Sequence, residues 1–460
     1  MRFNHLDDWL AWQETLNPAE IDLGLDRVAS VLSQAELPCS FNCPLIAVAG
    51  TNGKGSVVAM LEAIAMAAGL NVCSYTSPHI FYYNERIRIN AQAVNDDDLC
   101  KAFEYIDQAR GDIPLTYFEF GTLAALYLFF RQQPDLVILE VGLGGRLDAV
   151  NIMDADVSVL TSIAIDHVDW LGEDRESIGY EKAGIFRPGK TVICGDASPP
   201  DSVIEHAQKL ACEFIRSARD YEVLNVSGNS KYLDDHWTLQ SIYGDIVSLP
   251  KPLLAGEFQK SNAATAILAL QALQKQHRLC LQPGRLEQAI AAGLRNISLP
   301  GRFQQVNPQP PVYVDVAHNP QAALALASQL KQTQTAAHNK TWAIVAMLAD
   351  KDVKGVIDNI SSSIDVWCFA GLEKCSRGLA ADELVKRLAS SINLAGGWAE
   401  QIGHDLTVNQ CKILSDTVLL ADTVTDACKF VLSKAKKDDR IIIFGSFYTV
   451  SEAMQFFQGE

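Results

Sequence analysis

The sequence predicts an α/β protein built from two domains with mostly parallel sheets. Short apolar segments bounded by glycine and proline alternate with helical segments along the chain, which is typical of strands joined by crossover helices. The 460 residues exceed what one hydrophobic core usually holds. We therefore predict a first domain over residues 1–298, with a small appended lobe at about 198–250, and a smaller Rossmann-like domain over residues 299–460.

The glycine-rich stretch from Leu45 to Met66 organises the first domain. Five apolar residues lead into the turn Gly50–Ser56, and a helical pattern follows. Such a turn directs backbone N–H groups and a helix N-terminus at an anion, and Lys54 would add a positive charge. Gly55 separates Lys54 from Ser56, whereas the common phosphate loop has Ser or Thr directly after Lys. An ordinary glycine turn is the alternative, and we predict a variant phosphate loop.

Burial and capping patterns place the other elements of the first domain. Residues 84–90 alternate polar and apolar side chains, as a half-exposed strand does. Asn95 is a suitable N-cap for a helix whose first turn is acidic. A helical pattern also runs through Leu32. The predicted strands are Leu45–Ala49, Asn71–Tyr75, Asn84–Asn90, Leu136–Gly142, Val157–Ser162 and Thr191–Gly195, and the predicted helices are Val57–Met66, Asp96–Ala109, Thr116–Phe130, Glu176–Ile185 and Asn262–Gln274.

The second domain begins near Pro300–Arg302, where a helical stretch ends and a new strand starts. Strands and helices alternate again beyond this point, which predicts another mostly parallel sheet. The predicted elements are the strands Val312–Val316, Thr341–Met347, Val366–Ala370 and Arg440–Phe444, a helix ending at Leu330, and a polar loop at Gln332–Lys340.

Polar residues follow several predicted strands at their carboxyl ends, where open α/β sheets bind ligands. Glu140 ends an apolar strand and is the best candidate for a Mg²⁺ ligand, with a solvent-facing glutamate as the alternative. Ser77 and His167 are weaker signals, since a lone histidine is more often a core or loop residue. Lys182, taken alone, would be a solvated helix lysine. Asp315–Pro320 gathers an Asp, a His and an Asn at one strand-to-helix turn.

Composition limits the classes of partner and compartment. The net charge of −17 disfavours broad contact with nucleic acid or an anionic membrane, so we expect small-molecule substrates. The sequence contains neither an apolar signal region nor a bilayer-length apolar run. Eleven cysteines without a C-x-x-C pair indicate reduced thiols in a cytoplasm, and Cys39 and Cys43 lack further nearby zinc ligands. We expect a cytoplasmic monomer.

Seven segments, taken in order, resemble the folylpolyglutamate synthases, the folate branch of the Mur ligase superfamily. The likeness extends from about Ile21 to Val450, and the whole series is specific although no single member is. The Gly55 insertion favours the folate branch over the cell-wall ligases. The matching segments are Gly50–Ser56, Ser77–His79, Glu140–Asp148, Glu181–Ile185, Asn262–Ala266, Leu299–Arg302 and Asp315–Pro320.

The resemblance implies roles for individual residues. The ATP-binding residues would be Gly53, Lys54, Gly55, Ser56, Asn262, Arg302 and Asp315. Ser77 and Glu140 would hold one Mg²⁺ ion and His167 would help to hold a second, with K⁺ as a further candidate ion. Lys182 matches a lysine that carries a carbamate in many of these enzymes, and glutamate would be bound by His318 and Ser446. The catalytic residues would be Lys54, Lys182 and His318.

Within the branch, three segments are similar to the dihydropteroate-contacting segments of bacterial bifunctional enzymes. Aromatic rings could stack on a flat pterin and carboxylates could accept from its N–H groups, whereas plain core packing is the alternative for Tyr117 and Phe118. The implied residues are Asp22, Leu23, Gly24, Thr116, Tyr117, Phe118, Glu119, Leu147, Asp148 and Ala149.

The resemblance implies an ATP-dependent ligase that adds glutamate to dihydropteroate and to reduced folates through an acyl phosphate. A monofunctional folylpolyglutamate synthase is the nearest alternative. A cell-wall ligase and a nucleotide-dependent switch protein without ligase chemistry are the others.

Overall fold

The chain divides mainly between Ser298 and Leu299. Unit 1 comprises Met1–Leu253 and Gln259–Ser298, and unit 2 comprises Leu254–Phe258 and Leu299–Glu460. The computed structural model describes residues 2–17, 19, 21–225, 236–282, 284–334, 339–372, 375, 377–388, 407–408, 411–415 and 417–459.

Unit 1 alternates strands and helices from the glycine-rich stretch onward. Its helices are α1 (Leu6–Gln13), α2 (Asp26–Gln34), α3 (Lys54–Ala67), α4 (Asp96–Arg110), α5 (Tyr117–Gln132), α6 (Val168–Leu171), α7 (Arg175–Ala183), α8 (Asp201–Lys209), α9 (Phe258–Lys275) and α10 (Arg285–Asn296). Its strands are β1 (Leu45–Ala49), β2 (Val72–Tyr75), β3 (Ile87–Ile89), β4 (Gln92–Ala93), β5 (Leu136–Glu140), β6 (Val157–Leu160), β7 (Thr191–Cys194), β8 (Glu213–Arg216), β9 (Tyr221–Asn225), β10 (His236–Ser241) and β11 (Ile246–Pro250).

The main sheet of unit 1 has the strand order β4-β3-β2-β5-β1-β6-β7-β8. The strands from β2 to β8 in this order are parallel, while β3 and β4 are antiparallel additions at one edge. The central strands β1, β5 and β6 are buried along their whole length, which explains why they are apolar except at Ser158 and Glu140. Because β1 lies between β5 and β6, the carboxyl ends of these three strands are adjacent.

Unit 2 repeats the architecture around a second sheet, β12-β13-β19-β14-β15-β18-β17-β16. The strands β13, β19, β14, β15 and β18 are parallel, and the other strands are antiparallel. The strands are β12 (Gln304–Pro308), β13 (Pro311–Asp315), β14 (Thr341–Val345), β15 (Val366–Ala370), β16 (Thr407–Val408), β17 (Cys411–Ser415), β18 (Val418–Ala421) and β19 (Arg440–Phe444). The helices are α11 (Pro320–Gln332), α12 (Val353–Ile360), α13 (Ala381–Leu388), α14 (Val424–Lys434) and α15 (Phe447–Gln458).

The predicted α/β fold class with mostly parallel sheets is confirmed, and the differences from the sequence expectation lie at sheet edges. Residues 84–90 were expected to be one strand, but Tyr83–Arg86 forms a 3₁₀ turn before the short β3. The expected lobe at 198–250 is smaller, because β8 pairs in parallel with β7 and extends the main sheet. Among the described residues of this region, β9–β11 form a separate, antiparallel sheet. The predicted polar loop at Gln332–Lys340 lies partly outside the described residues.

Among the described helices, none combines the length and apolar character that crossing a membrane requires.

The packing of α10 against α3 leaves no space for a side chain at Gly293. A Cβ atom there would lie 2.7 Å from the Cα atom and the backbone nitrogen of Ile64 in α3. Helix α3 begins at Lys54 and so contains the last residues of the glycine-rich turn, which ties the orientation of the turn to the position of the helix. Close backbone contact between these helices is therefore a requirement of the site and of the core.

We predict that Gly293→Ala destabilises the protein by about 1–3 kcal/mol, because the two helix backbones must separate. The intrinsic helix propensity of Ala would favour the opposite outcome by about 1 kcal/mol. The midpoint of urea unfolding measures the change. Gln288→Ala, at an exposed position of the same helix, should leave the midpoint nearly unchanged. Equal midpoints for the two variants would contradict the close packing.

Candidate functional site

The turn between β1 and α3 has the backbone geometry of an anion cradle. Gly50 has φ +146° and Gly53, the N-cap residue of α3, has φ +90°, which are conformations that side chains disfavour. Gly50 also approaches the residue that follows β6 so closely that a Cβ atom would lie 1.8 Å from Thr161 Oγ1. The turn therefore requires glycine, and the first N–H groups of α3 are available to an anion.

Hydrogen bonds to the segment after β6 hold the turn in place. The Thr51 N–H group donates to the Ser162 carbonyl at 2.6 Å, and Ala164 N–H donates to Thr51 Oγ1 at 3.0 Å. Thr161 Oγ1 donates to the Asn52 carbonyl at 2.7 Å. The cradle is thus fixed before any ligand arrives, which lowers the entropy cost of binding. The local sequence pattern predicted the turn but gave no sign that Thr161 and Ser162 fasten it.

Two lysines converge on the Gly50 carbonyl. Lys54 Nζ donates to this oxygen at 3.0 Å and Lys182 Nζ, from α7, donates to it at 3.1 Å. Lys182 is 4% exposed, so the alternative of a solvated helix lysine is wrong. The helix places its lysine beside the turn because α7 packs against the loop that follows β5, where Arg146 N–H donates to the Glu181 carbonyl.

Glu140 and Ser77 lie together at the carboxyl edge of the sheet. The Ser77 N–H group is 3.4 Å from Glu140 Oε2, and Glu140 pairs in register with Val48 of β1. Glu140 is 4% exposed, so the alternative of a solvent-facing side chain is wrong. His167 lies seven residues beyond the end of β6, with φ +53°, and is the N-cap residue of α6. The strand order brings Ser77 and Glu140 to the adjacent ends of β2 and β5, whereas β1 lies between β5 and β6.

The donor set near β5 fits Mg²⁺ better than a metal with many protein ligands. No group of three or more His, Cys, Asp or Glu side chains in the described ranges could hold a metal ion. Mg²⁺ is usually bound by one or two carboxylates together with phosphate and water oxygens. One buried carboxylate beside an anion cradle provides that chemistry.

Asn262 of α9 lies directly against the turn. A Cβ atom at Gly53 would be 2.7 Å from Asn262 Oδ1, and Asn262 Nδ2 donates to Gln259 Oε1 at 2.9 Å. Gln259 is fully buried, and its hydrogen bond holds the Asn262 amide against the turn with Oδ1 nearest to Gly53. Gln259 was not predicted from the sequence; its spacing of three helical residues from Asn262 was the available signal.

A buried carboxylate, Asp148, follows the loop after β5. It accepts hydrogen bonds from Leu143 N–H at 2.8 Å and Val150 N–H at 3.1 Å. Burial raises the pKa of Asp148 to about 6, although the N–H donors and the charge of Lys54 act in the opposite direction. Since this pKa is near neutrality, a ligand that donates an N–H group to Asp148 would favour its ionised form.

The start of α5 uses most of its polar groups internally. Thr116 and Glu119 form a capping box, in which Thr116 N–H donates to Glu119 Oε2 at 2.8 Å. Phe118 lies against Gly142, where a Cβ atom would be 2.7 Å from its ring. The half-buried Tyr117 ring packs edge-on to Tyr83 at 5.3 Å. Both aromatic rings therefore pack against the protein while remaining partly accessible.

The remaining residues of the predicted pterin site differ in exposure. Leu23, Gly24 and Leu147 are half-buried and Ala149 is buried. Asp22 is held by an ion pair in which Arg27 Nη1 lies 2.8 Å from Asp22 Oδ2. Arg27 was missed by sequence reasoning because an arginine on a helix gives no local sign of its partner.

The predicted residues of unit 2 gather at the carboxyl ends of the adjacent strands β13 and β19. Asp315 accepts hydrogen bonds from Phe303 N–H at 2.9 Å and Ala317 N–H at 2.8 Å, and burial raises its pKa while Arg302 opposes the shift. Arg302 lies over the Phe447 ring at 5.5 Å.

His318 and Ser446 also have defined partners in unit 2. His318 Nδ1 lies 2.8 Å from the Val316 carbonyl, and since a carbonyl only accepts, Nδ1 carries the proton. Ser446 is the N-cap residue of α15 and accepts from Thr449 N–H at 3.0 Å. Ser446 is 3% exposed, so its hydroxyl is already engaged in capping, whereas His318 is half-buried and accessible.

Comparison with known proteins gives consistent matches along the chain. The family model described as the Mur ligase middle domain matches residues 48–270, and that of the Mur ligase glutamate ligase domain matches residues 301–447. The dihydrofolate synthase/folylpolyglutamate synthase of Escherichia coli (strain K12) is 40% identical over 98% of this chain and 95% of its own length.

Two solved structures are similar over nearly the full chain. E. coli FolC in complex with DHPP and ADP has a TM-score of 0.84 and 39% identity, covering 99% of this chain and 98% of that one. A bifunctional folylpolyglutamate synthase/dihydrofolate synthase from Yersinia pestis, complexed with AMPPNP and a Mn ion, has a TM-score of 0.83 and 39% identity with the same coverage.

We predict that Thr161→Val weakens the binding of ADP about tenfold, because it removes the hydrogen bond that holds the Asn52 carbonyl. Isothermal titration calorimetry measures the affinity. Thr191→Val is a matched control, since Thr191 is also buried and donates to Glu213 Oε2 at 2.7 Å, but lies at the amino end of β7. Unchanged ADP affinity in Thr161→Val would show that the turn does not depend on this contact.

Proposed function

Since the chain belongs to the Mur ligase family, and within it to the dihydrofolate synthase/folylpolyglutamate synthase group, we propose that it joins L-glutamate to dihydropteroate and to reduced folates with ATP. The observation that carries the proposal is the glycine turn beside the buried Glu140, with Lys54 and Lys182 on one carbonyl. That arrangement combines an anion cradle with cationic and metal-binding groups, which phosphoryl transfer requires.

The proposed reaction has two steps. A carboxylate oxygen of the folate substrate attacks the γ-phosphorus of ATP, and the bond to ADP breaks to leave an acyl phosphate. The amine of glutamate then attacks the acyl carbon, the amide bond forms, and phosphate leaves with a proton released. Lys54 and the N–H groups of the turn would stabilise the charge that develops on the transferred phosphoryl group.

Separate sets of residues would bind ATP and the metal ions. Gly53, Lys54, Gly55 and Ser56 would hold the phosphates, and further nucleotide contacts would come from Asn262, Arg302 and Asp315. Ser77, Glu140 and His167 would contribute to two Mg²⁺ sites, and K⁺ is a further candidate ion. A divalent cation bound there would neutralise phosphate charge and polarise the bond that breaks.

The folate and glutamate sites draw on other residues. Asp22, the start of α5 and Asp148 would bind the pterin of dihydropteroate, since carboxylates match its N–H donors and aromatic rings match its flat face. His318, whose protonated Nδ1 leaves Nε2 as a potential acceptor, and Ser446 would bind glutamate. We further propose that the enzyme is a cytoplasmic monomer that acts on small-molecule substrates.

The two lysines on the Gly50 carbonyl support a carbamate on Lys182. Two ammonium groups near one oxygen repel each other, and burial of Lys182 strengthens the repulsion. Addition of CO₂ to the neutral amine, with loss of one proton, would turn Lys182 into an anion and the repulsion from Lys54 into attraction. The carbamate would also supply oxygen ligands of the kind that Mg²⁺ prefers.

The proposed function predicts ADP release that depends on both glutamate and a folate substrate. We expect turnover with dihydropteroate and with tetrahydrofolate, measured by a coupled ADP assay. Turnover with tetrahydrofolate alone would replace the bifunctional assignment by a monofunctional one. ADP release at the same rate with and without glutamate and a folate would indicate a nucleotide switch.

Lys54→Ala should reduce this turnover at least about 100-fold, because a preorganised cation at the phosphates is lost. Lys190→Ala is the control: it removes a lysine that pairs with Asp156 at 3.1 Å, next to the amino end of β7. Equal activity of the two variants would contradict the assignment of the cradle.

Lys182→Ala should lose most activity and regain part of it when formate or acetate is added, because a free carboxylate can replace the carbamate oxygens. Initial rates over a range of carboxylate concentrations give the measurement. Lys54→Ala should show no such response, since its missing group is a cation. Recovery of Lys182→Ala with alkylamines instead would argue for a role of the unmodified amine.

A further inference from the structure

A single guanidinium joins two distant segments of unit 1. Arg27, in the first turns of α2, contacts Glu119 with two nitrogens: Nη2 to Oε1 at 3.0 Å and Nε to Oε2 at 3.3 Å. The same side chain lies 2.8 Å from Asp22 Oδ2 through Nη1 and donates to the Asp22 carbonyl through Nη2 at 2.5 Å. We call this group, Asp22–Arg27–Glu119, the arginine clamp.

The two carboxylates of the clamp have different surroundings. The Glu119 side chain is 5% exposed, and its Oε2 atom also accepts from Thr116 N–H. Its oxygens are therefore occupied by the protein. The Asp22 side chain is 40% exposed, so a ligand can reach it. Only Asp22 of this pair is placed to meet a substrate, and Glu119 acts through Arg27.

A second contact fastens the same loop. Asn17 Nδ2 donates to Asp22 Oδ2 at 3.4 Å and to the Pro114 carbonyl at 3.1 Å, just before α5 begins. The segment that carries Asp22 is therefore tied to the start of α5 by two side chains. The Arg27 contact is the stronger tie, because it is charged and uses a planar fork with several donors.

We propose that Arg27 is a positioning residue for the folate substrate, holding the carboxylate of Asp22 at a fixed place relative to Tyr117 and Phe118. The inference rests on the proposed function, because it assigns Asp22 and the start of α5 to the pterin. Arg27 does not touch the reacting atoms; it sets the distance between the carboxylate and the aromatic rings that would grip one flat ligand.

Substitution of an arginine with a purely structural role would affect stability alone. A second arginine–glutamate pair in unit 1 provides a matched control for Arg27. Arg88 of β3 pairs with Glu62 of α3 at 2.8 Å, with side-chain exposures of 23% and 3%. The corresponding values for Arg27 and Glu119 are 25% and 5% at 3.0 Å. Each pair joins a half-buried arginine to a buried glutamate, and none of the predicted site residues belongs to the Arg88 pair.

The test compares Arg27→Ala, Arg27→Lys and Arg88→Ala in full-length protein. Arg27→Ala should raise the KM for dihydropteroate about 10- to 100-fold, with kcat and the KM for ATP essentially unchanged, because only the placement of one substrate is disturbed. Arg27→Lys should recover part of the loss, since a lysine keeps the charge but cannot form the fork. Arg88→Ala should leave all three constants unchanged. The affinity for dihydropteroate, titrated without ATP, should follow the KM.

Four outcomes would overturn the inference. Equal effects of Arg27→Ala and Arg88→Ala would reduce the clamp to a stabilising ion pair. A fall in kcat with unchanged KM would place Arg27 in the chemistry. If the wild type binds and converts dihydropteroate and Arg27→Ala has the same constants, the inference is wrong but the proposed function stands. A wild type that neither binds nor converts dihydropteroate would remove both.

Discussion

The contact between Gly50 and Thr161, the residue that follows β6, constrains the path of the glycine-rich turn. With Thr161 Oγ1 only 1.8 Å from the place of a Cβ atom, the turn can follow this path only without a side chain. That path presents the Gly50 carbonyl to Lys54 and Lys182 and leads directly into the N-terminus of α3. The parallel pairing of β1 with β6 and the packing of α10 on α3 fix the two ends of the turn. The pairing of β1 with β6 and the packing of α10 on α3 therefore both help to position the anion cradle.

Several of the buried charged groups lie at the carboxyl ends of strands or in the segments that follow them. Glu140, Asp148 and Lys182 are at most 4% exposed, and an isolated charge in such surroundings is costly. Backbone N–H groups partly offset this cost for Asp148 and Asp315, and burial still raises the pKa of both. A protein that needed only stability would gain little from such groups. Their cost is consistent with a site that gains when charged ligands enter.

The parts of the fold that the sequence predicted best are those with uniform environments. The boundaries of β1, β15 and β19 agree with the expectation, because strands buried on both faces are continuous apolar runs between polar turns. Strand β8 was missed because its mixed burial at the sheet edge leaves no clear period. In the site, the glycine turn and Glu140 were visible locally. Arg27 and Gln259 were not, because their significance comes from partners that only the folded chain brings near.

The two binding regions of unit 1 differ in how their geometry is encoded. The anion cradle is made from backbone atoms, so it depends on glycine at a few positions and presents donors that any phosphate can use. The predicted pterin region depends on side chains, and its clamp joins residues 92 positions apart in the sequence. A substitution in the cradle would therefore affect every ATP-dependent step, whereas a substitution in the clamp would alter the choice and affinity of one substrate. Specificity for the folate can thus change while the phosphate chemistry is retained.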